Sequence, residues 1–82
     1  MADVLLAESA ADELAELQPD LRDRMKEKLR DAAEHPDRYL KPLSGRDTYR
    51  VRAGDSRAEI DWDRNASQLR VLKIGHRDGF YA

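Results

Sequence analysis

The spacing of apolar residues changes along this chain. "ADVLLA" (2–7) is a continuous apolar run of the kind a buried strand carries. Ser9 with Asp12 three residues on forms a capping-box pattern, which predicts a helix over 10–17 with Ala10, Leu14 and Leu17 on one face. Pro19 suits a first helical turn and Asp20 its positive end, so a second helix is expected over 19–34. Its apolar stripe is Leu21, Met25, Leu29 and Ala32, and its other face is charged. "HP" (35–36) ends it, because the residue before proline avoids helix, and His35 suits the negative helix end.

After a turn-rich loop over 37–45 the period falls from 3.6 to 2. In "TYRVRA" (48–53) Tyr49, Val51 and Ala53 alternate with Arg50 and Arg52. In "RAEIDW" (57–62) Ala58, Ile60 and Trp62 alternate with Arg57, Glu59 and Asp61. "GDS" and "DRNAS" read as turns, and "LRVLKI" (69–74) as a central strand covered on both faces. The expected architecture is α+β in the order β-α-α-β-β-β. One domain spans 1–82, with a mainly antiparallel four-stranded sheet and a helical hairpin packed on one face. The first strand must join the sheet, since Val4, Leu5 and Leu6 otherwise lack backbone partners. Trp62 is expected in the core.

Charge sharpens this picture. The net charge is −2, yet residues 1–40 carry 11 acids against 6 bases and residues 41–82 carry 6 acids against 9 bases. Seven of those nine bases are arginine, whose planar fork fits phosphate bidentately. Side chains two apart on a strand lie about 6–7 Å from each other on one face. Arg50 and Arg52 therefore share a face, and Arg57 begins the adjacent strand. Like charges opposed across a sheet destabilise it, and a polyanion would reverse that sign. A solvated face with local arginine–carboxylate pairs is the other reading of the same pattern.

Other features narrow the function classes. There is no cysteine, which excludes disulfides and thiolate metal sites and fits a reducing cytoplasm. No apolar run approaches the roughly 18 residues of a membrane span, and the acidic N-terminus does not read as a signal peptide. No cofactor or metal is expected. At 82 residues the core is small, so added stability from a partner is expected.

"KPLSGRDTYRVRAGDSRAEIDW" followed by "RVLKIGHRDGFY" resembles the RelE/ParE superfamily of type II toxins, on the RelE-like side. The matching parts are Leu43–Gly45, Tyr49–Arg52, Gly54–Asp55, Arg57, Gly75–Arg77 and Tyr81, and the likeness covers nearly the whole chain. Ser56 stands where the family commonly has an aromatic, and Glu59 and Asp61 add acid beside the arginines. The resemblance implies a toxin that acts in the ribosomal A site as an mRNA endoribonuclease, in which a ribose 2′-OH attacks the neighbouring phosphate. It implies that Arg50 and Arg52 hold the RNA and assist proton transfer. Arg57 and Arg77 would stabilise the phosphate in the transition state, and Tyr81 would stack on or orient the substrate. Tyr81 is alternatively a tail aromatic packed beside Phe80.

His76 is the one side chain beside these whose ordinary pKa suits an additional base, and it is alternatively a turn histidine bonded to backbone. The implied partners are a cognate antitoxin, the ribosome and mRNA, with operator DNA reached only through the antitoxin complex. A ParE-like gyrase poison acting by binding, or an inactive relative that keeps only antitoxin and operator binding, is compatible with the same fold.

Overall fold

The computed structural model describes residues 1–76. Its elements are β1 (Asp3–Leu6), α1 (Glu8–Glu16), α2 (Pro19–Glu34), α3 (Pro36–Tyr39), β2 (Lys41–Pro42), β3 (Tyr49–Ala53), β4 (Ser56–Asp63) and β5 (Gln68–His76). The strands form one sheet in the order β1-β5-β4-β3-β2, with β1 parallel to β5 and the other neighbours antiparallel. Helices α1 and α2 cover one face. Met25, Leu29, Ala32, Ala10 and Leu14 meet Val51, Ala53, Ala58, Ile60, Leu69, Val71 and Ile74 in a single core.

Several expectations are refined. The sheet has five strands rather than four, because Lys41 and Pro42 pair with Arg50 and Tyr49 inside the stretch read as loop. A two-residue strand containing proline carries no periodicity, so only tertiary pairing reveals it. The same stretch opens with the one-turn α3, for which Pro36 stands at the first turn.

Helix α1 begins at Glu8, and Ala7 takes the cap position without a side-chain hydrogen bond, so Ser9 does not cap. Its hydroxyl instead donates to the carbonyl of Leu72 at 3.3 Å. β1 is an edge strand with all four residues exposed, not a buried one. Val4, Leu5 and Leu6 are 37%, 43% and 40% exposed, because the helices lean over β3–β5 and leave the β1 border open. Trp62 packs at the core margin, half-buried, with its ring edge-on to Tyr49 at 5.5 Å and under the guanidinium of Arg64 at 3.9 Å.

The β3–β4 hairpin turns on Gly54 and Asp55. Gly54 has φ +59 while Asp55 has negative φ, the pattern of a type II′ turn. Gly54 also lies close to α2: a Cβ there would sit 3.1 Å from Leu21 Cδ2 and 3.3 Å from Arg24 Nη1. A register shift between Glu59 and Ile60 bulges β5 at Leu72, so Val71 and Lys73, two apart, point to opposite faces. Helix α1 holds this bulge at two points. Ser9 takes the Leu72 carbonyl, and the Glu13 carboxylate accepts the Ile74 backbone N–H at 2.9 Å.

Candidate nucleic-acid interface

The cross-strand register sorts the uncovered sheet face into rows. Lys41, Arg50, Glu59 and Lys73 form one row, and Arg52, Arg57 and Gly75 the next, toward the hairpin turn. Toward the other end come Asp61 with Arg70 and Leu5, then Asp63 with Gln68 and Asp3. The face is therefore graded, cationic near the β3–β4 turn and acidic at the far edge. Arg50 and Arg52 share this face, away from buried Val51 and Ala53, as the alternation predicts.

Arg52 stands directly across from Arg57. Among the described residues neither of these, nor Arg50, makes a salt bridge, and Arg52 makes only a long contact from Nε to the Gly54 carbonyl, at 3.5 Å. The three guanidiniums are thus available to an anion. Arg57 is half-buried, and its Nε is shielded from solvent without a hydrogen-bond partner. An unmet shielded donor costs about 1–3 kcal/mol, and this nitrogen is itself closed to a ligand, so an anion meets Arg57 at the rest of its guanidinium.

Glu59 is the acid that the alternation puts among these cations, and the structure shows how it is neutralised. It is only 6% exposed. Arg46 Nη1 donates to both carboxylate oxygens at 3.2 Å, and Thr48 Oγ1 donates to one of them at 2.7 Å. Burial alone would raise the Glu59 pKa. The Thr48 and Arg46 hydrogen bonds and the charges of Arg46 and Lys73 outweigh it, and the net displacement is below the ordinary value of 4.5. Glu59 is thus an ionised carboxylate bound within its own chain, and it does not turn the face acidic. Asp61 lies one row away, exposed, opposite Arg70.

Sequence reading missed Arg46 and Thr48, which sit in the loop before β3, and Lys41 and Lys73, which complete the first row. The lysines had a signal in their charge, but their row depends on β2 pairing and on the β5 bulge. Ser56, where the family commonly has an aromatic, is fully buried on the helix-facing side, its hydroxyl without a hydrogen-bond partner. His76 is in β5 opposite Ser56 rather than in a turn. Arg77 and Tyr81 lie outside the described residues. Among the described residues no cluster of three metal-ligating side chains occurs, and no helix is long and apolar enough to cross a membrane.

No family model matches the sequence, and no curated protein matches it. Solved structures do. The RelBE2 toxin–antitoxin complex of Mycobacterium tuberculosis superposes with a TM-score of 0.83 at 25% identity, over 93% of this chain and 98% of that one. The chain is RelE-like in fold. The intact RelBE toxin–antitoxin complex of E. coli gives a TM-score of 0.81 at 21% identity, over 93% and 96% of the two chains. The isolated E. coli RelE toxin gives 0.77 at 20%, over 99% and 92%. The RelE likeness spans the whole sheet and both long helices, so the graded face described above is carried by this fold's open side.

Proposed function

We propose that this RelE-like chain is the toxin of a type II toxin–antitoxin pair and that it cleaves mRNA on the ribosome. The observation that carries this reading is the pairing of Arg52 with Arg57 on the uncovered face, with no carboxylate among the described residues taking either guanidinium. Two unpaired guanidiniums facing each other destabilise a free protein and favour a phosphodiester between them.

In the proposed reaction a ribose 2′-OH attacks the adjacent phosphate, the P–O5′ bond breaks, and a 2′,3′-cyclic phosphate and a 5′-hydroxyl remain. Charge builds on the non-bridging oxygens, where Arg57, Arg52 and, beyond the described residues, Arg77 stabilise it. Arg50 holds the adjoining backbone, and Tyr81 orients the substrate. Register sets His76 across from Ser56, outside the arginine rows, so the proton lost from the 2′-OH and the one gained by the 5′-oxygen pass through solvent. The matched structures of toxins with antitoxins, and the exposed apolar border at Val4, Leu5 and Leu6, support a cognate antitoxin as partner. Operator DNA is reached through that complex.

A reconstituted translation system with primer extension on the message tests this. Wild-type protein is expected to cut mRNA only when ribosomes are present. Arg57→Ala and Arg77→Ala should each slow cutting by about 10²–10³. Intact message with wild-type protein removes the nuclease reading. DNA breaks on induction in cells, with translation continuing, would point instead to a topoisomerase poison.

A further inference from the structure

A second cationic feature lies around the corner from the open face. Lys28 of α2, Arg38 and Tyr39 of α3, Lys41 of β2, and Arg50 and Arg52 of β3 line a cleft of about 240 Å³. It lies where β3 runs past the short β2: Val51 to Ala53 have no strand beside them on that side. Five cations from four elements meet there, and among the described residues no carboxylate lines the cleft. None of the five makes a salt bridge among the described residues. Lys28 Nζ sits 5.7 Å from the centre of the Tyr39 ring, so one wall offers an aromatic face already polarised by a cation.

From this geometry we infer that the cleft is a binding track for an RNA phosphate backbone, continuous with the proposed site through Arg50 and Arg52. The inference rests on the nuclease reading for its ligand class. Three features favour RNA over an acidic peptide. Three of the five cations, Lys41, Arg50 and Arg52, are shared with the rows of the open face. The track holds three arginines and two lysines, whose heads suit phosphate oxygens. Among its lining residues only Val51 and Tyr39 are uncharged, and the rest of the wall is the stems and heads of the five cations. A strand leaving the reacting nucleotide past Arg50 would run on across Lys41 and Arg38 toward Lys28.

The test uses the full chain carrying Lys28→Ala, Arg38→Ala and Lys41→Ala, against wild type. None of the three is among the residues assigned to the reaction. Because Lys28 touches Tyr39, the double variant Arg38→Ala/Lys41→Ala is the folding-safe companion, and Lys28→Arg/Lys41→Arg should retain binding. One arm measures binding of a fluorescent single-stranded RNA 12-mer with its 2′-hydroxyls replaced by hydrogen at every position, across a salt series. The other measures binding to ribosomes without message.

Each lost phosphate contact lowers the slope of log K against log salt by about 0.7. The triple variant should thus lose about two units of slope and about 100-fold in affinity near 0.1 M salt, converging with wild type near 1 M. Loss in the oligonucleotide arm identifies the message strand as the ligand, and loss only in the ribosome arm identifies ribosomal RNA. Unchanged slopes in both arms overturn the inference. So does loss confined to a polyglutamate peptide probed alongside, which would assign the cleft to an acidic partner. If wild-type protein binds RNA through the cleft but leaves message uncut, the nuclease reading fails while the track stands.

Discussion

Arg52 lies directly opposite Arg57 in the β3–β4 hairpin, two cations held side by side by register. The turn fixes that register, so the repulsion cannot be relieved by sliding. Arg52 is exposed, and replacing it with glutamate would put an opposite charge in the same place. Arg52→Glu should stabilise the free protein by about 0.2–1 kcal/mol at low ionic strength. That corresponds to a few degrees in melting temperature for a domain this small. The gain should shrink in 0.5 M salt, where screening is strong, and cleavage should fall sharply. An unchanged melting temperature at low salt would show that the two guanidiniums do not strain the hairpin.

Glu59 makes the same face pH-sensitive. Its pKa is lowered on folding, so its contribution to stability is complete above the unfolded value, near 4.5, and is lost as pH falls through the lower folded value. Wild-type stability should therefore decline on the acid side below about pH 4.5 more steeply than that of Glu59→Gln. At pH 7 the same variant should be less stable by about 1–3 kcal/mol, having exchanged charge-assisted bonds to Arg46 and Thr48 for weaker ones. Denaturant titrations at pH 3 to 7 measure both effects. Parallel pH curves for the two proteins would refute the assignment.

Glu13 joins α1 to the bulge in β5 by accepting the Ile74 N–H. Ile74 is 2% exposed, so removing the acceptor leaves that donor without easy access to water. Glu13→Ala should cost about 1–3 kcal/mol, unusually large for a single polar helix residue. Amide exchange at Ile74 should accelerate far more than at Leu69. A loss below 0.5 kcal/mol would mean the bulge is held without α1.

The two glycines with positive φ separate backbone strain from crowding. Gly45 (φ +76) has open space where a Cβ would go, whereas Gly54 (φ +59) faces Leu21 and Arg24. Gly45→Ala should cost only the left-handed backbone penalty of about 1–2 kcal/mol. Gly54→Ala should exceed it slightly, because the ends of the Leu21 and Arg24 side chains must also give by a few tenths of an ångström. Equal losses in thermal unfolding would contradict the close approach.

The alternation in "TYRVRA" and "RAEIDW" was enough to place Arg50, Arg52 and Arg57 on one face, because period 2 and a two-residue glycine turn leave little freedom. Helix α2 was legible to the residue, since Pro19 and Pro36 bracket one apolar stripe. What escaped was set by tertiary placement. "ADVLLA" reads as buried because apolar edge and central strands share a composition, and only the reach of the helices distinguishes them. Glu59 looked like a stray acid, because its partners, Arg46 and Thr48, sit in a loop with no period to place them. The cleft at Lys28, Arg38 and Lys41 was invisible because those residues belong to a helix, a one-turn helix and a two-residue strand that meet only on folding.

The parallel pairing of β1 with β5 sets an order of assembly. Strands β3, β4 and β5 meet through short turns, whereas Asp3 finds Gln68 only by closing a loop of more than sixty residues. Short closures precede long ones, so the arginine hairpin forms early and the β1 seam last. During refolding followed by pulsed hydrogen exchange, the amides of Asp3 and Ala7, which bond to Ser67 and Val71, should gain protection after those of the β3–β4 pair. A newly made molecule then holds its two opposed cations side by side before its sheet is closed, so a ligand that reads only that hairpin can bind an incompletely folded chain.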